Sequence, residues 1–233
     1  MRLKMTMIGI MVLAIWLVAA QASASETLQL KTQKDKVSYA IGIDIAKKLK
    51  QMGVDIDADI VVRGLKDGFA GEKLLMTEDD LRATMGALSE ELRQKQVAAM
   101  KALAEENKKK GDSFLAENKK KEGVVTLPSG LQYKIIKAGF GKKPTENDTV
   151  ECTYRGTLIN GKEFDSSFRT GKPATFKVSG VIAGWTEALK LMPVGSKWQL
   201  AIPPELAYGR RGAGRDIGPN STLVFEIELI AIK

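Results

Sequence analysis

No histidine occurs at any of the 233 positions of this chain. That absence removes Ser-His-Asp and Cys-His nucleophilic catalysis and most zinc centres, since each needs an imidazole as base or ligand. A single cysteine, Cys152, excludes an internal disulfide. At an inward strand position it reads as a small buried apolar residue, a reactive thiol being the lesser alternative. Aromatic residues make up only 6% of the chain, so their recurrence between positions 150 and 232 is informative.

Acidic residues are missing from the start, where none precedes Glu26. Arg2 and Lys4 make a positive beginning, residues 5–20 are apolar apart from Thr6, and Ala22-Ser23-Ala24 offers a small-x-small cleavage site. Residues 1–24 are therefore expected to be a signal peptide. The apolar run is short for a span of about 20 residues, an uncleaved anchor being the alternative, and no cysteine follows it to carry a lipid. Cleavage removes Arg2 and Lys4 and lowers the net charge from +8 to +6. The expected destination is the periplasm or cell surface, beyond a bacterial inner membrane.

What is present lies in the second half. Val150, Cys152 and Tyr154 alternate with Glu151, Thr153 and Arg155, which predicts a strand with one inward face. Asn160-Gly161 fits a two-residue hairpin with positive φ at both turn positions, returning Phe164 and Asp165 close to Tyr154. Ala174, Phe176 and Val178 alternate in the same way, as do Trp198, Leu200 and Ile202 before Pro203-Pro204, and Leu223, Phe225, Ile227 and Leu229. These are one-sided strands of an antiparallel sheet. Trp185, Ala188, Leu189 and Met192 fall at i, i+3, i+4 and i+7, a short helix ended by Pro193. One helix laid over a concave sheet leaves a cavity where its first turn does not fill the curve, with Trp185 as the floor.

The runs YRGTLINGKEFDSS, VIAGW, IPPELAYG and GPNSTLVFEIEL, in that order, resemble the FK506-binding-protein (FKBP) class of peptidyl-prolyl cis-trans isomerases over about half the chain. The resemblance implies an α+β fold in which a C-terminal antiparallel β-sheet wraps around a short helix. It implies a pocket made by Tyr154, Phe164, Asp165, Phe176, Val181, Ile182, Trp185, Tyr208, Ile217 and Phe225, with no cofactor and no metal. Ala174 stands where better-known members carry an aromatic, which widens one wall, and Arg169 lies one place from the familiar arginine after the FDSS motif. Macrolides such as rapamycin are implied inhibitors. Without the resemblance the same aromatics read as plain core, Asp165 as a turn cap beside Ser166 and Ser167, and Tyr154 as a buried tyrosine with a satisfied hydroxyl.

The chemistry open to such a pocket follows from the barrier. Rotation about an X-Pro bond breaks amide resonance at a cost of roughly 18–20 kcal/mol. The twisted transition state has lost much of its amide dipole, so an apolar, water-excluded site favours it over the planar ground state. A reduction of about 5–7 kcal/mol corresponds to roughly 10⁴–10⁵ in rate, and no nucleophile is needed. The implied roles are a proline seat made by Trp185, Phe225, Phe164 and Val181, and hydrogen bonds to substrate carbonyls from the Ile182 N–H and the Tyr208 hydroxyl. Asp165, oriented by the Tyr154 hydroxyl, lies by the imide carbon.

The first half is helical in pattern. Val37, Tyr39 to Ile41, Ile43, Ile45 and Leu49 make an apolar stripe ending near Met52-Gly53, and Asp57 or Asp59 caps a second helix carrying Ile60, Val61, Leu65 and Phe69 up to Gly71. Neither is long enough to bury its stripe alone, and a second copy of the chain is the expected cover. Thr77, with Asp80 at the capping-box position, opens a third helix over about 78–122, roughly 68 Å at 1.5 Å per residue. Its first part is sticky and its second part is rich in Glu, Lys and Asn, with Gly111 the expected hinge.

The predicted division is residues 25–76, an all-α dimerisation domain; 77–123, a connecting helix; and 124–233, the isomerase domain. This layout, with the SYAIG and LPSGLQY segments, resembles the macrophage infectivity potentiator (Mip) subgroup. That subgroup implies a homodimer in the periplasm or outer-membrane surface of a Gram-negative bacterium, acting on proline-containing polypeptides of exported or host proteins, with a role in infection. A dimeric chaperone clamp and a surface adhesin are the alternatives. The lysine runs 108–110 and 119–121 are interleaved with glutamate and asparagine and nearly free of aromatics, which predicts a solvated helix face and no nucleic acid. The stretch 209–215, GRRGAGR, lacks the strand-to-helix setting of a phosphate loop. It reads as a flap over the pocket, with a positive rim suited to acidic peptides or polyanionic surfaces.

Overall fold

The computed structural model describes residues 29–71 and 74–233. The signal peptide expected at residues 1–24 lies outside them. Two compact units divide the chain near Leu74.

In the first, helix α1 (Gln33–Met52) starts on a full capping box. The Asp35 N–H donates to the Thr32 hydroxyl at 3.1 Å while the Asp35 carboxylate accepts from the Thr32 N–H at 2.8 Å. Gly53, at φ 65°, closes it. Helix α2 (Ala58–Ala70) is capped by Asp57, which accepts from the Asp59 and Ile60 N–H groups. Neither helix contains a buried residue. Tyr39, Ile41, Ile60 and Phe69 are exposed, the last at 91%.

The second unit begins with α3 (Glu78–Asn118), its first turn capped by Thr77 through the Asp80 N–H. The helix ends four residues before the expected 122, and it runs without interruption through Gly111, which is buried. Gly111 is thus no break in the helix. Among the described residues no helix is long and apolar enough to cross a membrane.

Seven antiparallel strands follow: β1 (Val124–Thr126), β2 (Gln132–Lys137), β3 (Thr149–Leu158), β4 (Glu163–Ser166), β5 (Ala174–Lys177), β6 (Lys197–Ile202) and β7 (Leu223–Ile232). The sheet order is β1-β2-β6-β7-β3-β4, and β5 shares the free side of β3 with β4. Alternation decides the faces: in β3 Val150, Cys152, Tyr154 and Gly156 are buried, and in β7 Leu223, Phe225, Ile227 and Leu229 are buried. Helix α4 (Ala183–Leu191) lies on that inner face with Trp185, Ala188 and Leu189 buried. It can lie close because residue 184 is glycine, where a Cβ would come within 2.5 Å of Ile202 Cγ2.

Two local expectations change. The β3–β4 hairpin has a three-residue loop, 159–161, closed by the Leu158 N–H donating to the Lys162 carbonyl at 2.9 Å. Only Gly161 has positive φ there, at 85°, while the Asn160 side chain accepts from the Lys162 N–H. A single left-handed glycine followed by a bulge replaces the two-residue turn. The polar second part of α3, read as the solvated half of the connecting helix, has one face docked on the sheet domain. Gln132 Nε2 donates to the Leu115 carbonyl and Asn118 Nδ2 to Gln132 Oε1, both at 2.9 Å.

Candidate functional site

Strand β3 carries Tyr154 inward beside Gly156, and the missing side chain at 156 makes room for two rings. A Cβ there would lie 2.6 Å from Phe225 Cε1 and 2.8 Å from the Phe164 ring. Phe164 and Phe225 fill that space edge to face, with centroids 5.5 Å apart. From α4, Trp185 meets Tyr154, Phe176 and Phe225 at centroid distances of 5.2, 5.5 and 5.2 Å, each near perpendicular. Edge-to-face packing of three rings onto one indole is the favourable aromatic geometry, and each such pair holds the others in place.

These rings enclose a cavity of about 650 Å³. Trp185 is 4% and Phe225 5% exposed, so the floor is buried and apolar. Val181 and Ile182 line it where the chain leads into α4, and Tyr208 and Ile217 line it from the segment between β6 and β7. All ten residues predicted from the sequence line this one hollow. Gly180 and residues 213–216 line it as well, and the sequence offered no periodic signal for them.

The polar groups sit at the mouth. The Tyr154 hydroxyl donates to Asp165 Oδ2 at 2.7 Å, and the Ser166 N–H donates to Asp165 Oδ1 at 2.8 Å. Both carboxylate oxygens are thus oriented. Tyr154 itself is held by Ser167, whose hydroxyl accepts from the Tyr154 N–H at 2.9 Å. Burial, and then the bond to Asp165, raise the Tyr154 phenol well above its ordinary pKa, so it remains a proton donor across the physiological range. The Ile182 carbonyl accepts from Trp185 and Thr186 N–H groups, while its own N–H has no acceptor among the described residues. Thr186 Oγ1 donates to the Val178 carbonyl at 2.7 Å and fixes this turn against the 3₁₀ segment before it.

The charges around the opening pair mostly with each other. Glu163 accepts from Arg155 at 2.8 Å and Arg169 at 3.2 Å, so the basic residue after the FDSS motif is engaged away from Asp165. Asp216 pairs with Lys162 at 2.7 Å, which holds its carboxyl below the usual range. The segment 209–217 folds over one side as a small hairpin, with Ala213 and Ile217 exchanging backbone hydrogen bonds at 2.8 and 3.1 Å. Cys152 lies in the core beneath, its thiol pushed up to about 12 by burial and by the neighbouring Glu151 charge. Among the described residues no group of three His, Cys, Asp or Glu side chains is placed to hold a metal ion.

An apolar hollow with a tyrosine-oriented carboxylate and unpaired donors at its rim can bind a small apolar ring and hydrogen-bond the carbonyls on either side of it. Two family models match the chain. Residues 34–135 match a domain amino terminal to FKBP-type peptidyl-prolyl isomerase, and residues 141–230 match FKBP-type peptidyl-prolyl cis-trans isomerase. The outer membrane protein MIP of Legionella longbeachae is 49% identical over 233 residues, covering 100% of this chain and 99% of its own. The peptidyl-prolyl cis-trans isomerase Mip of Coxiella burnetii is 44% identical over 211 residues, covering 91% and 92%. The crystal structure of FkpA from Escherichia coli superposes with a TM-score of 0.71 at 39% identity, over 88% of this chain and 99% of that one.

Proposed function

From the premise that the chain belongs to the FKBP-type peptidyl-prolyl cis-trans isomerases, and is an isomerase of that kind, we propose how its residues perform the reaction. The single observation that carries the assignment is the convergence of Trp185, Phe225, Phe164 and Val181 on one apolar hollow rimmed by oriented polar groups. The proline ring enters between these four side chains, with Phe176 backing Trp185. Desolvation there raises the planar, dipolar imide relative to its twisted form, so the barrier falls without a covalent intermediate. The Ile182 N–H and the Tyr208 hydroxyl, on a ring 41% exposed at the mouth, donate to the substrate carbonyls flanking the imide. Asp165, held by Tyr154 and the Ser166 N–H, sets its carboxylate by the imide carbon, whose carbonyl rotates during the reaction. Ile217 closes the remaining wall.

The division into a dimerisation domain at 25–76, a connecting helix at 77–123 and an isomerase domain at 124–233 belongs to the same reading. The exposed apolar stripes of α1 and α2 support a homodimer formed through these helices, because neither stripe is covered within its own unit. The expected signal peptide at residues 1–24, together with the outer-membrane designation of the Legionella relative, supports export to the periplasm or outer-membrane surface. The substrates are then X-Pro bonds of exported or host proteins, and the apolar hollow suits macrolide inhibitors such as rapamycin.

A protease-coupled or NMR exchange measurement on a Phe-Pro peptide tests the roles. Asp165→Leu and Tyr208→Ala are expected to lower kcat/KM by roughly tenfold each with unchanged circular dichroism. Wild-type turnover in both would overturn the assignment.

A further inference from the structure

One wall of the pocket has its footing outside the sheet. Ile217, 9% exposed, leads directly into residues 218–222, and that segment leans on α3. Asn107 Nδ2 donates to the Pro219 carbonyl at 2.9 Å, and Asn220 Nδ2 donates to the Ala104 carbonyl at 3.3 Å. Thr222, 2% exposed, occupies with its side chain the space that a Cβ at Gly111 would need. Positions 104, 107 and 111 recur at intervals of three and four, so they share one face of the helix.

The same segment reaches the opposite side of the flap. Asn220 has φ 53°, the single positive value outside glycine among the described residues. In that conformation its N–H donates to the Gly209 carbonyl at 2.8 Å, immediately beside Tyr208. Asparagine tolerates this region of backbone space better than most residues, and surrounding contacts must hold it there. Besides the bond to Gly209, the contacts on this residue and its neighbour Pro219 come from Ala104 and Asn107 of α3.

We propose that Asn107 and Gly111 of α3 are positioning residues for the isomerase pocket, setting Ile217 and Tyr208 through the segment 218–222. The proposal deepens the isomerase reading and rests on it. It also explains a glycine in the interior of a long helix, where glycine is disfavoured against alanine. Gly111→Ala should favour the helix and disturb the pocket, two effects of opposite sign. A role confined to helix stability predicts only the first.

The full chain is tested by a double-mutant cycle in kcat/KM for a Phe-Pro peptide. Gly111→Ala is expected to lower turnover about tenfold while helical circular dichroism is retained, because small misplacements at a site carry large rate effects. In a Thr222→Ala background, where the obstructing side chain is gone, the same change should lower it less than about twofold. Asn107→Ala, which removes one hydrogen bond from a half-buried position, should lower turnover about threefold and decides the matter should Gly111→Ala fold poorly. Amide exchange at Ala213 and Ile217 should quicken in Gly111→Ala and return in the double variant. Wild-type turnover in Gly111→Ala and Asn107→Ala, or an equal loss in both Thr222 backgrounds, overturns the proposal. An inactive wild-type chain would instead sink the isomerase reading itself.

Discussion

Residues 29–71 and the sheet domain follow the same rule of alternation between apolar and polar positions, yet they differ in what the alternation achieves. In the sheet domain the inward residues of β3, β6 and β7 meet α4, and Leu200, Ile227, Leu229 and Leu189 reach 0% exposure. In α1 and α2 an equally regular stripe leaves no residue buried. Periodicity states which face seeks cover; only a second layer supplies it.

The sharpest way to break this contrast is to cut into both stripes. Leu200→Ala is expected to destabilise the sheet domain by about 2–5 kcal/mol in urea unfolding, the cost of a buried cavity. Ile60→Ser at high dilution should change stability by less than about 0.5 kcal/mol, as for an exposed position, while shifting sedimentation toward monomer at higher concentration. A loss for Ile60→Ser as large as that for Leu200→Ala at every concentration would mean that the helices possess a core of their own. Next in size, Trp185→Ala should lower kcat/KM about a hundredfold, whereas removing residues 25–76 should leave small-peptide turnover within about twofold and abolish association. Loss of peptide turnover on that deletion would join the two regions functionally.

The smallest effect is in pH. Cys152 has its thiol raised to about 12 in the folded chain, so its neutral form is the favoured one. The stability it contributes is complete below the unfolded thiol value near about 8.5 and is lost as pH rises from there toward 12. Urea midpoints should therefore fall above about pH 9, and Cys152→Ser should flatten that decline. Turnover between about pH 6 and 9 should show no step from an imidazole, since the chain has none, nor from Tyr154, whose phenol is displaced upward.

Much of the site was legible because its residues repeat at strand and helix spacing. Tyr154, Trp185 and Phe225 announce an inner face by alternation or by i, i+3, i+4 recurrence, and the order of the motifs resolves pocket from plain core. Asn107, Gly111 and Asn118 were not legible, because a docking face made of amides, a glycine and backbone carbonyls carries no hydropathy signal. The 159–161 loop was misjudged for a related reason. Asn-Gly suits several turns, and the closing hydrogen bonds, invisible in the sequence, select among them. Gly156 and Gly184 likewise mark close approaches whose partners lie far along the chain.

The sheet ends on its outer sides in its briefest members, β1 with three residues and β4 and β5 with four each. Long open borders invite other chains to add as an extra strand. An isomerase of proline-containing polypeptides thus offers its substrates scant backbone to zip onto, and takes them at an opening lined by side chains. Release is built into the outline of the domain as much as capture is.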